Sequence, residues 1–376
     1  MKRSYLSIIV ALSMNTAHSA SAPTLQIHVF EEQSAASLEK TPASKIIPEN
    51  AASPSRKHNL QLHVFERDPS VRTPKTSSAD STIAIKNKKP ILGYQHAEFY
   101  GATGYRKDEL DWSIAGLNGT PNILSELEWD DIEIATLNIG TTLYFQPNWL
   151  LNFDFTYGHI FDGDNQDSDY FGNNRTLEFS RSNNNTDDGM TIDASIHAGY
   201  QWLAMSNQQQ QIYLIPKIGF SYHAQYFNIS DGFQTIPSTG SFSGLDSNYD
   251  ATWYGPWLGL ESEFAINEKL TLGVNFEYHY AYFEATANWN LRSDFAHPES
   301  FTQEAEGYGL VGNIHGQYRL NKDLALTLSV DYQDWQASRD GFDTIFFANG
   351  FSLKTERLNG VNWKSFGANL GLVYQF

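Results

Sequence analysis

The sequence predicts an all-β protein: a closed antiparallel transmembrane β-barrel of ten strands, carrying a disordered N-terminal extension. Three observations predict it. Long segments alternate apolar and polar residues with a period of two. Short and long polar connections follow one another strictly. And 14% aromatic residues coexist with a mean hydropathy of −0.43, a balance that suits alternating strands and polar loops better than helices.

The 376 residues contain no cysteine, so neither a disulfide framework nor a thiolate metal site is available. Charge divides the chain. Residues 1–90 carry 12 Lys and Arg against 7 Asp and Glu, while the remainder carries 13 against 36, for a net −18. The tail is basic and the body acidic. No Gly-rich phosphate loop, nucleophile elbow or basic face is present, and nucleic acid is not an expected partner.

Lys2 and Arg3 precede an apolar run from Tyr5 to Leu12 and then the small residues "HSASA", the layout of a secretory signal peptide, assigned to residues 1–22. Residues 23–90, rich in Ala, Ser, Pro and Lys, bury too little apolar surface to offset ordering entropy and are expected to be a disordered periplasmic segment. Two copies of one heptapeptide interrupt it, LQIHVFE (Leu25 to Glu31) and LQLHVFE (Leu60 to Glu66). Either copy could add to an exposed sheet edge of a periplasmic partner; the simpler alternative is a duplicated linker.

The barrel is expected over residues 91–376. In "IATLNIGTTLYF" Ala135, Leu137, Ile139, Leu143 and Phe145 oppose Thr136, Asn138 and Thr142; in "WLLNFDFTY" Trp149, Leu151, Phe153, Phe155 and Tyr157 oppose Asn152, Asp154 and Thr156. "MTIDASIHAGYQW" and "LTLGVNFEYHYAY" repeat the pattern. The runs are long enough to cross a bilayer at a tilt, and aromatics gather at their ends as interfacial girdles do. The polar side would ruin a dry core but suits a hydrated lumen. Glu133, Asp154, Asp193, Lys217, Glu277 and Asp331 are expected there as salt bridges and hydrogen bonds. His197, His223, His279 and His315 also face inward, with no metal site assigned.

Short links fall at 146–148, 205–211, 266–269 and 321–323; long polar links fall near 107–130, 162–188, 228–250, 287–303 and 337–358. Four short turns and five long loops join ten strands and put both barrel ends on the periplasmic side. The final strand, "ANLGLVYQF" ending at Phe376, must then pair with the first. Its terminal aromatic resembles the signal by which barrel-insertion machinery recognises outer-membrane barrels. Lipid and lipopolysaccharide are the expected surroundings and the outer membrane the expected location.

Ten strands, five long loops, "DSD" at 167–169 followed by Tyr170, and an Asp and a His in the fourth loop together resemble the omptins, outer-membrane endopeptidases. The segments "DWSIAGLNGTPNILSELEW" (111–129) and "NWNLRSDFAHPESF" (288–301) look closer still to omptin-like barrels of the protochlamydial outer-membrane protein type. The omptin resemblance implies an Asp pair facing an Asp–His pair across the barrel mouth, with a water between them. By position these would be Asp167 and Asp169, and Asp294 and His297, with lipopolysaccharide as a possible requirement for activity. One departure matters: omptins separate that Asp and His by one residue, whereas "DFAH" has two.

The competing reading is that these four are solvated loop residues of an acidic rim. "DGDNQDSD" (162–169) suggests a calcium loop but lacks the Gly and Glu positions of an EF-hand, leaving loose divalent-cation binding as a compositional expectation. Three functions follow in order: a surface-exposed omptin-like barrel with an envelope or adhesion role, an omptin-like endopeptidase cleaving basic peptides, and a small pore.

Overall fold

The computed structural model describes residues 93–207 and 210–376. The expected signal peptide, the extension 23–90 and its heptapeptide repeat lie outside the described residues. The described chain is almost entirely strand: β1 (Tyr94–Ile114), β2 (Ser125–Phe145), β3 (Trp149–Gly172), β4 (Thr176–Asn185), β5 (Gly189–Tyr200), β6 (Trp202–Ser206), β7 (Gln211–Ile236), β8 (Gly240–Ser241), β9 (Ser247–Ala265), β10 (Leu270–Asn288), β11 (Phe301–Arg319), β12 (Leu324–Phe346), β13 (Ser352–Thr355) and β14 (Leu358–Gln375).

Ten of these make the ring, in the order β1, β2, β3, β5, β7, β9, β10, β11, β12, β14, every neighbour antiparallel. The seam is continuous from Glu98 opposite Gln375 to Trp112 opposite Val361. Closure leaves the ten-strand ring itself without an edge, which is the condition for a backbone to cross hydrocarbon. The remaining four strands extend the wall. β4 rises beside β3 and β7, β8 beside β7 and β13 beside β12, while β6 continues β5 past Gln201.

The long connections differ from the sequence expectation. The segments near 107–130 and 162–188 are mostly strand, because β1 runs to Ile114 and β3 to Gly172. Polar, hydrogen-bonding side chains there suit a hairpin standing in water as well as they suit a loop. The short connections stand where expected.

Outside, a belt of apolar side chains faces away from the barrel. Leu258 is 61% exposed, Leu328 57%, Leu137 56% and Leu370 52%. Trp149, Trp202, Tyr318 and Tyr374 mark one border; Tyr105, Tyr157, Tyr222 and Tyr332 mark the other. A contiguous apolar surface of that kind calls for lipid. Beyond the second border the outer wall turns acidic, with Glu109, Asp111, Glu128, Asp130 and Asp164.

Inside, polarity reverses at the same height. Within the belt the lumen is polar. Arg106 bridges Asp108 (2.7 Å) and Asp193 (2.6 Å), His223 Nδ1 meets Asp193 Oδ1 (2.8 Å), and Lys217 reaches Glu261 (3.1 Å) and Glu277 (3.5 Å). Asp154 accepts from Tyr100, and Asp331 from Asn313 and Asn369. Glu133 does not join them: its neighbours Ile132 and Ile134 are fully buried inward, so Glu133 points to the outer wall, near Tyr105. A bulge between Asp130 and Glu133, with Asp131 at φ 56°, sets that phase.

Above the belt the interior is aromatic rather than wet. Trp129, Tyr249, Phe227, Trp253, Phe283, Trp335 and Trp363 are all essentially buried. Trp129 stacks on Tyr249 at 4.9 Å and on Phe227 at 5.3 Å; Trp335 stacks on Trp363 at 5.5 Å. The sequence reading of a uniformly hydrated lumen is thus corrected for the outer half. With water replacing lipid outside, that half is a protein with its core inside.

Gly104 shows how the polar half is cross-braced. It sits between Thr136 of β2 and Asn369 of β14 in one row, and a Cβ there would strike Asn369 and the Ala368 carbonyl. Without it, Thr136 Oγ1 donates to Asn369 Oδ1 (3.2 Å) across the intervening strand.

Candidate functional site

The candidate residues gather at the rim formed by the long hairpins, above the aromatic plug. A register shift near Asp162 changes the phase of β3, so Asn165, Asp167 and Asp169 turn inward. Asp167 lies opposite Leu127 of β2 and Ser182 of β4; Asp169 lies opposite Ser125 and Ser180. Two residues apart on one strand, they share a face.

Both carboxyls are held above the ordinary aspartate range. Desolvation pushes Asp167 up to about 7, the charge of Asp169 adds to this, and the Trp289 side-chain hydrogen bond and the Arg292 charge oppose it. Desolvation also raises Asp169, against hydrogen bonds from Ser125 and Ser180 and the charge of Arg292. Ionisation of Asp169 thus makes ionisation of Asp167 harder. The plug supports them from below: Trp289 packs edge-on against Phe301 (4.8 Å), which meets Trp112 (5.8 Å).

The β10–β11 loop places the other two candidates differently. Arg292 clamps Asp294 with two bonds of 2.9 Å, and this ion pair holds the Asp294 carboxyl below its ordinary range. His297 Nδ1 lies 2.8 Å from Asn288 Oδ1. Among the described residues, no hydrogen bond or ion pair joins Asp294 to His297. The loop is pinned there: Ala296 N donates to Phe346 O (2.8 Å), Ala348 N to Asp294 O (3.0 Å), and Phe346 N to Ser300 O (2.9 Å).

The structure therefore brings Asp167 beside Asp169, sets Arg292 where its charge reaches both, and attaches Asp294 to that arginine. His297 sits apart from this network on Asn288. Arg292 and Trp289 escaped the sequence reading. The signal was the "RSD" spacing, which puts an arginine two residues before Asp294, within reach of its carboxylate in a turn.

Chemically, the site can keep a proton on a desolvated carboxyl near neutrality and present an acidic surface to cations. Nearby, Glu126 accepts from Tyr170 (2.7 Å) and from Arg175 (2.8 Å), and Glu128 is raised by desolvation and by Glu126, Asp130 and Asp111. The four aspartates of "DGDNQDSD" lie along a strand rather than around a loop, with Asp164 exposed outside and Asp167 and Asp169 inside.

A family model described as Protochlamydia outer membrane protein matches residues 101–376. Among solved structures, the outer membrane protease OmpT from Escherichia coli superposes with a TM-score of 0.63 at 13% identity, over 77% of this chain and 99% of that one. The outer membrane protein OprG from Pseudomonas aeruginosa matches at 13% identity over 76% and 98% (TM-score 0.29), and the attachment invasion locus protein Ail of Yersinia pestis at 10% over 75% and 100% (TM-score 0.26). No curated protein sequence matches. At such identity the likeness to OmpT is one of fold.

Proposed function

Because the chain belongs to the Protochlamydia outer membrane protein family, and is an omptin-like β-barrel of the outer membrane, we propose that it serves as a sealed, surface-exposed envelope barrel that presents an acidic rim. The aromatic plug carries this reading. With Trp129, Trp253, Trp335 and Trp363 buried across the barrel, the outer half has a packed core where a pore would need water. Below it lies a cavity of about 450 Å³ lined by lumen side chains, among them Lys217, Asp193 and His279.

An envelope or adhesion role fits a rigid platform whose exposed groups are carboxylates, since such a surface attracts basic ligands and divalent cations. Lipopolysaccharide is the proposed neighbour at the acidic wall, with loosely held divalent ions between its phosphates and the carboxylates. The β14 strand, with Tyr374 packed edge-on against Phe376 at 4.8 Å, is the proposed handle for insertion machinery.

A second reading, proteolysis of basic peptides, is favoured by one observation: Asp167 and Asp169 share the inner face of β3 at the rim, both held above the ordinary aspartate range by desolvation. Against it, a water-activating His needs an orienting carboxylate, and the Asp294 carboxylate is occupied by Arg292. The refolded protein, incubated with lipopolysaccharide and a library of basic peptides and then placed in a planar bilayer, separates the three roles. The sealed-barrel reading expects neither cleavage nor conductance. Cleavage abolished by Asp169→Asn would establish the peptidase, and steady single-channel current the pore.

A further inference from the structure

The periplasmic half of the lumen holds a cluster separate from the rim. Glu261 and Glu263 of β9 and His315 of β11 each offer a ligand atom, all within 4.8 Å of one another. The strand between them, β10, contributes Gly273, which is the register partner of both Glu263 and His315. A Cβ at Gly273 would collide with the His315 ring, so the missing side chain is what lets donors from β9 and β11 meet across β10.

The protonation of His315 is fixed by its neighbours. Asn313 Nδ2 donates to Asp331 Oδ1 (2.8 Å), which turns Asn313 Oδ1 toward His315 Nδ1 at 3.0 Å. An amide oxygen can only accept, so Nδ1 carries the hydrogen. In the neutral ring Nε2 is then a lone pair, and it faces Glu261 Oε1 at 3.5 Å. A lone pair aimed at a carboxylate is repulsive unless a proton or a metal cation lies between. The other oxygen of Glu261 is engaged by Lys217 (3.1 Å), and Glu263 Oε2 receives Gln201 (3.4 Å), which steadies both ligands. An imidazole whose second nitrogen donates to a fixed oxygen is the usual outer-shell arrangement of a metal-bound histidine.

We propose that Glu261, Glu263 and His315 form a binding site for a first-row divalent cation, of which Zn²⁺ is the best match to one imidazole and two carboxylates, with lumenal water completing the coordination. Bound there, the ion ties β9 to β11 over Gly273 and braces the periplasmic end of the barrel.

The test is titration of the refolded full-length protein in detergent with Zn²⁺ alone, by calorimetry, with Co²⁺ absorption as a spectroscopic report of coordination. Folding of each variant is checked by its heat-modifiable migration on a gel. One saturable ion per chain is expected, with Tm rising on binding. The isosteric Glu263→Gln, His315→Ala and Gly273→Ala, which keeps all three donors but displaces the ring, should each weaken it by about tenfold or more. Absence of a stoichiometric ion in the parent overturns the site and leaves an imidazolium–carboxylate pair there. So does binding unchanged in folded Glu263→Gln; that variant removes no volume and decides the matter if His315→Ala does not fold.

Discussion

Asp167 is the residue at which the rim can be read most directly. Its folded pKa, raised to about 7, lies above the value of an unfolded aspartate, so the native state binds the extra proton through the interval between them. Stability therefore falls as pH rises from about 4 to about 7, and above that interval the cost of the charged form is fully present. Asp167→Asn should gain on the order of 1–3 kcal/mol over the parent at about pH 8 and nothing at about pH 4, as read by denaturant unfolding at the two pH values. Trp289→Phe, which removes a hydrogen bond to the ionised form, should move the Asp167 midpoint higher still in a carboxyl-carbon NMR titration. In the sequence the omptin resemblance alone pairs Asp167 with Asp169, because 162–188 is expected to be a loop; it is their place on β3, two residues apart, that gives them one face. The placement of Asp294 and His297 was not legible either, because their loop has no period and its polar partners, Arg292 and Asn288, are fixed by the turn itself.

At the scale of a strand, the governing feature is that the wall exchanges its faces at the membrane border. On β1 the inward residues pass from Gly104, Arg106 and Asp108 to Leu110, Trp112 and Ile114, while the outward ones pass from Phe99 and Tyr105 to Glu109 and Asp111. Along β1 alternation continues unbroken and only its sign changes, because the outer solvent changes from lipid to water; β2 and β3 bulge at that height. Leu328→Arg, in the middle of the lipid belt, should cost about 2–4 kcal/mol in folding into bilayers. Glu128→Leu, on the same face of the wall but above the border, should stay within about 0.5 kcal/mol. Comparable costs at both positions, measured by denaturant titration in lipid vesicles, would place the border elsewhere. Strand existence and facing were readable from the sequence, whereas the strand ends were overshadowed by polar residues that serve equally in a loop and in a hairpin standing clear of the membrane.

For the whole molecule, the plug and the lumen network divide the labour of filling a ten-stranded barrel. The lower half is braced by buried ion pairs, where removing one partner, as in Lys217→Met, takes the shared ammonium from Glu261 and Glu277 and should cost about 3–5 kcal/mol. The upper half is braced by aromatic packing, where each Trp→Ala change should cost about 3–5 kcal/mol. The two differ in a second readout. The double variant Trp253→Ala, Trp335→Ala removes two rings that meet at 6.0 Å in the plug and should admit ions, giving a current in planar bilayers where the parent gives none. A parent that already conducts as well as the double variant would show that the plug does not seal the barrel.

The sequence by itself determined the number of long strands, their facing outside the bulged stretch at Glu133, the sides on which short and long connections lie, and the need for lipid. All of these follow from period-two alternation and from the length of each run, which are properties of a strand alone. Only the tertiary structure decided what fills the barrel, which partner Asp294 takes, and that Glu263 and His315 meet across Gly273. Those outcomes depend on the stagger between neighbouring strands, which sets the height at which residues far apart in the chain come into register, and no single strand encodes it.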